Sequence, residues 1–467
     1  MRRLLTLVAA SSVLAACAMQ TPYARPKAPT PATLPTGGVY PVQPADAAPP
    51  IRYADVFTDA RLRTLVDQAL ANNRDLRAAA DNILAARAQY RVQRASRFPE
   101  VDLSSRYNHG GGDGASPATR GDAYSASLGV TGFELDLFGR VASLTEAARQ
   151  RYFATEYAAR ATRLILVADV AEAWLTYAAD NSLLRIAQQT VDNAQRSVQL
   201  TDARLKGGVA PRTDLRQAQT ILAAAQADIA RQRTAVAKDI NALQLLVGAP
   251  IDPALLPTSI EEAAPTLTQV AAGVGSDVLL RRPDIAQAEH QLRALDAQVG
   301  AARAALFPRI TLTGAAGYAS SALSSLFQSG AFSYSAGGGV SYPIFQAGAG
   351  RAGLAYAKAQ RDAALASYEK AIQSAFRETA DALARQGTID DERAADQLQL
   401  DAAADSYRLA DARYRVGNQS FLASLDAQRT YYSAQKTFVA IELQGAINRV
   451  DLYRALGGDT AEAVAPE

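Results

Sequence analysis

The side chains that could act as catalysts or metal ligands in this chain are few and scattered. His109 and His290 are the only histidines, and neither has a cysteine near it in the sequence. A zinc site needs several Cys, His or carboxylate ligands at short spacings, and nucleophilic catalysis needs a base placed beside a nucleophile. The sequence contains neither pattern, so we expect a protein that is not an enzyme and that holds no metal or other cofactor.

The glycine-rich segments do not indicate nucleotide binding. Residues 348–353 (GAGRAG) match the dinucleotide fingerprint and lie between a predicted strand and a predicted helix. That fingerprint requires a short helix that leads to a second parallel strand within about 30 residues. Here the predicted helix continues to residue 416. The second such segment, residues 110–114, lies between two predicted strands and is expected to be an external loop.

Cys17 is the only cysteine, so an intramolecular disulfide is excluded. Basic residues 2–3 and a short apolar run precede it, which is the pattern of an export signal. Residues 14–17 (LAAC) resemble the lipobox of bacterial lipoproteins, in which the peptidase cuts before the cysteine and the thiol carries diacylglycerol. We therefore expect a signal peptide at residues 1–16 and a lipid on Cys17. The alternative is a chance cysteine in an ordinary signal peptide.

The residues after Cys17 are predicted to connect a lipid to the folded protein. Ala18 stands where an Asp would retain a lipoprotein at the inner membrane, so the lipobox resemblance directs the chain to the outer membrane. Residues 17–56 are rich in Pro, Ala and Thr and are expected to form an extended, lipidated tether that cannot pack a core.

The charge and hydropathy patterns exclude two classes of protein. The net charge of +2 comes from 48 basic and 46 acidic residues distributed along the chain, so no basic patch for nucleic acid is present. After the N-terminus, no apolar run reaches the roughly 20 residues of a membrane-spanning helix. A chain of this kind that crosses a bilayer must do so with strands.

The second half of the chain repeats the first at a shift of about 209 residues. Residues 97–104 (RFPEVDLS) match residues 306–313 (LFPRITLT), and both 202–204 and 411–413 read Asp-Ala-Arg. We therefore predict two copies of one supersecondary unit. Their predicted bounds are residues 57–250 and residues 277–460.

Each repeat is predicted to contain a helix, two strands and two long helices. Phe98-Pro99 and Phe307-Pro308 end the first helix, because the residue before proline avoids the helical region and proline has no amide donor. Apolar and polar residues then alternate, with aromatic residues near the ends, as in transmembrane barrel strands. A small soluble sheet is the alternative.

The remaining part of each repeat is predicted to be a hairpin of long antiparallel helices. Residues 141–206 and 352–416 contain no proline and almost no glycine, and each would form a helix about 100 Å long. The next helix of the first repeat has an apolar residue at every seventh position, with alanines between them, which indicates coiled-coil packing. These residues are Leu215, Leu222, Ile229, Val236 and Leu243, with Ala218 and Ala225.

Four strands cannot close a barrel, and open edges in hydrocarbon would leave backbone groups unpaired. Three copies would supply twelve strands around a lumen and twelve long helices in a ring. We therefore expect a mainly α-helical protein with a membrane β-barrel. The expected assembly is a trimer with a twelve-stranded β-barrel and a twelve-helix α-barrel.

Four motifs resemble those of the TolC-type outer membrane factor family, in its lipoprotein branch of multidrug efflux channels (NodT-like). They are residues 133–140 (FELDLFGR), 208–215 (GVAPRTDL), 280–285 (LRRPDI) and 414–428 (YRVGNQSFLASLDAQ). The resemblance extends from residue 57 to residue 457. It implies a homotrimer in the Gram-negative outer membrane that extends into the periplasm and passively conducts small toxic solutes or drugs. It also implies two partners, a periplasmic membrane-fusion adaptor and an inner-membrane pump of the RND type.

The resemblance further implies a gate and a contact surface at the helical hairpin tips. Leu422 and Asp426 would form an apolar ring and an acidic ring that close the periplasmic end, since an apolar constriction can dewet and a carboxylate ring repels anions. Asp426 could instead be an ordinary solvated helix charge. The adaptor would contact the tips, whose glycines could also serve only to end helices. The tip residues are Gly207, Gly208, Val209, Gly417, Asn418, Gln419 and Ser420.

Three other functions remain open at this stage. The same architecture serves as the exit channel of type I protein secretion, and the lipobox favours small-solute efflux over it. A non-conducting lipoprotein with a spacer or adhesin stalk would not need four amphipathic strands. A periplasmic enzyme would need a cluster of catalytic groups, which the sequence lacks.

Overall fold

The computed structural model describes residues 23–42, 52–111, 121–273 and 275–458. The predicted signal peptide and Cys17 lie outside the described residues. Among the described residues, no helix is both long enough and apolar enough to cross a membrane.

The elements follow the predicted order in both repeats. The α-helices are α1 (Tyr53–Val56), α2 (Ala60–Asn72), α3 (Arg74–Ala95), α4 (Arg140–Lys206), α5 (Arg212–Val247), α6 (Ile260–Ala263), α7 (Pro283–Ala304), α8 (Ala349–Arg415) and α9 (Phe421–Ala455). The strands are β1 (Asp102–Gly110), β2 (Gly121–Leu135), β3 (Arg309–Ser320) and β4 (Phe332–Ser341). Short 3-10 helices occupy Pro253–Leu255, Ala264–Thr266, Ser276–Arg281 and Leu323–Ser325. The series α3, β1, β2, α4, α5 is thus repeated as α7, β3, β4, α8, α9.

The two long helices confirm the prediction from composition. Helices α4 and α8 each contain 67 residues, which at 1.5 Å per residue gives about 100 Å. Each follows a glycine with positive φ, Gly139 at +76° and Gly348 at +88°, a conformation that costs other residues steric strain. Equivalent glycines therefore turn the chain from a strand into a long helix in both repeats.

Charged side chains hold the first strand-to-helix junction, which contains the FELDLFGR motif. The Asp136 carboxylate accepts a hydrogen bond of 2.6 Å from the amide of Ala142, so it satisfies a free donor in the first turn of α4. Arg140 donates to both carboxylate oxygens of Glu134, at 2.8 and 2.6 Å, and Arg309 approaches the same carboxylate to 2.9 Å. The motif is thus an ion-paired junction between β2, β3 and α4.

The four strands form one antiparallel sheet in the order β1-β2-β3-β4. Residues of β1 and β2 pair in a regular register, for example Leu103 with Leu128. The β2·β3 ladder contains a bulge between Val130 and Phe133, where β2 has one extra residue and Gly132 adopts a φ of +67°.

The chain divides into two compact units. The first consists of the described parts of residues 1–27, 81–156 and 287–369, and it contains the sheet. The second consists of the described parts of residues 28–80, 157–286 and 370–467. In this second unit Trp174 is fully buried and donates a hydrogen bond of 3.0 Å to the carbonyl of Leu255. Trp174 is therefore a core residue.

Residues 23–42 of the N-terminal segment form no helix and no strand, but they pack against the folded body. In the first unit Arg25 donates two hydrogen bonds to Glu289, at 3.1 and 2.5 Å, and the Arg293 guanidinium lies 4.5 Å from the Tyr23 ring centroid. Burial would raise the pKa of Glu289, but hydrogen bonds from Arg25 and Arg293 outweigh it and lower the pKa.

The same segment also contributes to the core of the second unit. Leu34 is only 2% exposed, and Thr33 forms a bridge with Gly275. The expectation that residues 17–56 cannot pack a core is therefore wrong for residues 23–42. The reason is that a proline-rich chain can still supply single apolar and charged contacts to a surface formed elsewhere.

Candidate functional site

The first hairpin tip, between α4 and α5, is a tight helix-ending turn. Gly208 has a φ of +74°, and the amide of Val209 donates to the carbonyl of Arg204 at 2.9 Å. Pro211 precedes the first turn of α5, where its missing donor costs no helical hydrogen bond. The Val209 side chain is 77% exposed, so the tip presents an apolar group to solvent.

The second tip, between α8 and α9, repeats this geometry. Gly417 has a φ of +84°, and the amide of Asn418 donates to the carbonyl of Arg413 at 2.9 Å. The Ser420 hydroxyl accepts a hydrogen bond of 3.4 Å from the amide of Ala423 and so caps α9. Gln419 is half-buried, whereas the other six residues proposed for adaptor contact are exposed.

A small apolar cluster joins the two hairpins just behind their tips. Its buried members are Ala218 on α5, Tyr414 on α8, and Phe421 and Leu425 on α9. Partly buried side chains of α4 and α5 pack around them, namely Val198, Leu200 and Ile221. We call these seven residues the tip cluster. All four long helices contribute to it, so it fixes one hairpin against the other.

Tyr414 is the residue of the tip cluster with the most specific contacts. Its ring lies 5.3 Å from that of Phe421, and the Arg204 guanidinium lies 4.5 Å from its centroid. Arg204 also donates a hydrogen bond of 3.0 Å to the carbonyl of Arg415. A cation held over an aromatic face is attracted by the ring quadrupole. Arg204 on the first hairpin thereby binds the end of α8 on the second.

The two gate candidates lie together on a face of α9 next to the face that contributes to the tip cluster. Leu422 is 60% exposed and Asp426 is exposed, whereas their neighbours Phe421 and Leu425 are buried. Positions i and i+4 share one helix face, so the leucine and the carboxylate are adjacent. Within the part of the chain that the structure describes, the Asp426 carboxylate forms no hydrogen bond or ion pair. The structure thus brings the two residues onto one solvent-facing surface.

Further along the hairpins, a tyrosine on α9 binds a carboxylate on α5. The Tyr432 hydroxyl donates to Asp228 at 3.1 Å, Arg231 forms an ion pair with the same carboxylate, and the Lys436 ammonium lies 5.4 Å from the Tyr432 ring centroid. Burial, and then the charge of Asp228, raise the pKa of Tyr432 to about 12. The hydroxyl therefore stays protonated and acts as a donor.

Asp180 on α4 and Asp239 on α5 are neighbouring carboxylates that affect each other's pKa. Burial, followed by the charge and hydrogen bond of Asp180, raises the pKa of Asp239 to about 7. The negative charge of Asp180 disfavours ionisation of Asp239, so Asp239 holds its proton to a higher pH than a solvated aspartate does. Tyr177 is close enough to Asp239 for its pKa to be raised as well, after the larger effect of burial.

The other chemistry-bearing residues of the sequence do not assemble into a site. His109 is hydrogen-bonded to Asp122 at 2.8 Å on the surface of the sheet, and His290 is hydrogen-bonded to Gln150 at 2.6 Å. Burial lowers the pKa of His290. Across residues 23–42, 52–111, 121–273 and 275–458, no group of three or more His, Cys, Asp or Glu could hold a metal ion. Gly348 precedes the 67-residue helix α8 and residues 349–353 are its start, which does not suit a dinucleotide site.

The contacts of Arg204, Tyr414 and Tyr432 were not predicted from the sequence. Tyr414 belongs to a motif that we recognised, but its burial against Arg204 depends on the approach of two hairpins whose tips are 209 residues apart. The repeat shift pairs Arg204 with Arg413, and the carbonyl of each of these residues accepts a hydrogen bond from the tip that follows it. This equivalence is the sequence signal that could have predicted the shared tip geometry.

The chain matches a known protein family and its relatives over most of its length. The family described as "Outer membrane efflux protein" matches residues 65–249 and 274–458. The toluene efflux pump outer membrane protein TtgC of Pseudomonas putida is 42% identical over 467 residues, which covers 98% of this chain and 96% of that protein.

Two solved structures are also similar over nearly the whole chain. A membrane protein from Pseudomonas aeruginosa superimposes with a TM-score of 0.88 at 40% identity, covering 97% of this chain and 100% of that chain. The open state of the MtrE outer membrane channel of Neisseria gonorrhoeae superimposes with a TM-score of 0.84 at 34% identity, covering 95% and 99%.

Proposed function

Because this chain belongs to the outer membrane efflux protein family, we propose that three copies form a gated, passive conduit through the Gram-negative outer membrane. The four strands of each copy contribute to a twelve-stranded β-barrel, and the four long helices of each copy contribute to a twelve-helix tunnel in the periplasm. Signal peptide residues 1–16 are removed, and a lipid on Cys17 anchors the chain. Residues 57–250 and 277–460 are the two repeats.

The gate consists of Leu422 and Asp426, and one observation carries this assignment. Both side chains face solvent on one side of α9, while the tip cluster on the adjacent face holds that helix against its neighbours. In a trimer this arrangement gives three leucines and three carboxylates directed at one axis. An apolar ring excludes water and a ring of carboxylates repels anions, so the tips close the conduit until they separate.

The cargo is a class of small apolar or amphiphilic toxic compounds, delivered by an inner-membrane pump through a periplasmic adaptor. The relative TtgC is a toluene efflux pump protein, and this chain is similar to it along 98% of its length. The exposed residues of the two tips offer the adaptor one apolar side chain, that of Val209, together with the polar side chains of Asn418 and Ser420. An RND-type pump suits this cargo.

Single-channel conductance in planar bilayers tests the gate. We expect small, mostly closed currents for the unaltered protein. Leu422→Ser should raise the open fraction because a polar ring stays wet, and Asp426→Ala should reduce the preference for cations.

Matched controls lie on α8, away from the tips. Leu398 is 71% exposed and Asp401 is exposed, so Leu398→Ser and Asp401→Ala make the same chemical changes elsewhere on the helical surface. If the control variants changed the open fraction and the cation preference as much as the gate variants, Leu422 and Asp426 would not be the gate. No pore activity in any variant would overturn the conduit in favour of a non-conducting spacer.

A further inference from the structure

The first residues that the structure describes are docked on helix α7 in the first unit. Arg25 donates two hydrogen bonds to Glu289, at 3.1 and 2.5 Å, and the Glu289 side chain is only 6% exposed. Arg293 donates to the same carboxylate at 2.5 Å, and its guanidinium lies 4.5 Å from the Tyr23 ring centroid. We call these four residues, Tyr23, Arg25, Glu289 and Arg293, the N-terminal clamp.

The N-terminal clamp is a buried contact rather than a surface ion pair. A carboxylate that loses its water is costly unless charged donors replace it, and Arg25 is one of the two donors of Glu289. A cavity of about 310 Å³ beside the clamp is lined by residues of the N-terminal segment and of α7 and α8, among them Tyr23, Pro26, Leu292 and Leu365. The segment therefore lies against two helices, and its release would remove a donor from a buried charge.

The contacts give the direction of the chain along α7. Arg25 binds Glu289, and Tyr23 lies against Arg293, one helical turn nearer the C-terminal end of α7. Helix α7 is followed in the chain by strand β3. Followed backwards from Arg25 to Tyr23, the N-terminal segment thus runs along α7 towards the sheet. Cys17 precedes Tyr23 by six residues, so the remaining chain starts out in that direction.

The length of residues 18–22 is close to the distance that they have to span. Six residues from Cys17 to Tyr23 reach at most about 21 Å. From Arg293 to Ala304 helix α7 rises by about 17 Å, and a short link to β3 follows. The strands cross the membrane in the proposed trimer, so a lipid on Cys17 has to enter the bilayer near the level where β3 begins. The spacer just reaches that level when it is extended.

We propose that the N-terminal clamp and residues 18–22 form a fixed-length tether, which confines the lipid of Cys17 to the bilayer beside the sheet of its own copy. This inference rests on the proposed lipid anchor and barrel. It adds a position for the lipid, because an undocked tether of residues 17–56 would let the lipid move more than about 100 Å from the folded protein. Pro22 suits such a tether, since the residue before a proline favours extended backbone.

Shortening the spacer tests the proposal in isolated outer membranes from cells fed radiolabelled palmitate. The variants lack one, two or three of residues 19–21, and all of them keep Ala18, Pro22 and the N-terminal clamp. With three residues removed, the spacer reaches only about 11 Å, so the lipid cannot stay in the bilayer while the clamp stays closed.

Trypsin cleavage after Lys27 reports whether the clamp is closed. Lys27 is exposed and lies two residues after Arg25, and a protease needs the chain around its site to detach from the fold. Cleavage there separates the labelled lipid from the rest of the chain. The rate at which the full-length band loses its label is therefore the rate of clamp opening under the same trypsin concentration.

Three controls separate tension in the spacer from other effects. Replacing residues 19–21 by Gly-Ser-Gly changes the sequence and keeps the length. Dissolving the membranes in detergent frees the lipid from the bilayer, so a shortened spacer is no longer under tension. Arg25→Ala breaks the clamp directly and should accelerate cleavage both in membranes and in detergent.

We expect the loss of label in membranes to accelerate with each residue removed, by about tenfold when all three are absent, and to return to the rate of the unaltered chain in detergent. The Gly-Ser-Gly variant should match the unaltered chain in both conditions. An unchanged rate for the three-residue deletion in membranes would overturn the fixed-length tether. Equal acceleration in membranes and detergent would overturn it too, because the deletion would then damage the clamp itself. If the unaltered chain took up no palmitate, the proposed lipid anchor would fail instead.

Discussion

Asn73 and Arg282 occupy equivalent positions in the two repeats, and each donates a side-chain hydrogen bond to a carbonyl 173 residues further along the chain. The Asn73 amide binds the carbonyl of Leu246 at 2.8 Å, and the Arg282 guanidinium binds that of Ala455 at 2.9 Å. Both acceptors lie in the last turn of a long helix, where carbonyls have no intrahelical partner. The repeats thus share one closing contact, made with two different side chains.

Arg282 should contribute more to stability than its exposed neighbour Arg281. Arg282 is buried and also binds Asp284, at 3.0 and 2.8 Å, and Glu378, at 2.9 Å. We expect Arg282→Ala to lower the free energy of unfolding by about 2 kcal/mol, because it removes the donor of a helix-terminal carbonyl and the ion pairs with two part-exposed carboxylates. Arg281→Ala should change it by less than about 0.5 kcal/mol.

Denaturant unfolding followed by circular dichroism, compared between these two variants, measures the difference. Equal losses of unfolding free energy in the two variants would mean that the buried Arg282 contributes no more to stability than the exposed Arg281. Arg282→Lys separates charge from geometry, because lysine keeps the charge but cannot make the bidentate contact with Asp284.

Phe421→Ala should loosen the hairpin tips. The Phe421 ring is buried in the tip cluster against Tyr414, and its loss leaves a cavity that costs about 3 kcal/mol. Amide hydrogen exchange at residues 412–425, followed by mass spectrometry, should accelerate by about 100-fold if the tips open locally.

Val416→Ala is the control for this change. Val416 lies at the same tip and is 70% exposed, so its truncation should leave exchange nearly unchanged. If Val416→Ala accelerated exchange as much as Phe421→Ala, the tip cluster could not be what holds the hairpins together.

Gly387 should be intolerant of a methyl group, although it lies in the middle of helix α8. A Cβ atom there would overlap the carbonyl of Val39 and approach Pro41, since the N-terminal segment crosses the helix at this point. We expect Gly387→Ala to displace residues 39–41, which limited proteolysis of the N-terminal segment would detect as faster cleavage.

Gly353 in the same helix provides the opposite case. A Cβ atom at Gly353 meets nothing within 4 Å, so Gly353→Ala should stabilise α8 by about 1 kcal/mol through helix propensity alone. Similar cleavage rates for the two variants would show that the N-terminal segment does not depend on close approach at Gly387.

The pair of Asp180 and Asp239 should make stability depend on pH. Folding raises the pKa of Asp239 to about 7, above its value in the unfolded chain, so the folded state binds the proton more tightly. The stabilisation from this group is therefore fully present below the unfolded pKa and is lost as the pH rises through about 7.

Asp239→Asn keeps the shape of the side chain and removes the charge. We expect this variant to raise the melting temperature more at about pH 8 than at about pH 5, because only the higher pH ionises the wild-type pair. Asp401→Asn, an exposed position on α8, should give no such difference. An equal rise at both pH values would mean that Asp239 does not hold its proton to a higher pH than a solvated aspartate does.

Local chemistry and periodicity were sufficient to predict the elements from the sequence. Residues 141–206 contain no proline, and Phe-Pro pairs stand at residues 98–99 and 307–308. Proline affects the backbone of only a few neighbouring residues, so these features predict where a helix continues and where it ends without knowledge of the fold. The repeat shift placed the hairpin tips for the same reason, because equivalent residues, such as Gly208 and Gly417, turn the chain in the same way.

The heptad pattern was a weaker guide to the core. Ala218, Ala225 and Leu243 are buried, as the pattern predicts, whereas its other apolar positions are only half-buried, namely Leu215, Leu222, Ile229 and Val236. Small residues are buried where backbones approach closely, and the distance between helices is a property of the assembled bundle rather than of one helix.

By itself, the sequence determined the order of elements, the two repeats and the tips, because these follow from spacing along the chain. The gate candidates Leu422 and Asp426 came from the resemblance of the tip motif to a known family. Only the tertiary structure decided that Arg204 binds the end of α8, that the N-terminal segment crosses α8 at Gly387, and that β2 has a bulge. Those contacts join residues far apart in sequence, and their energies depend on distances that folding alone establishes.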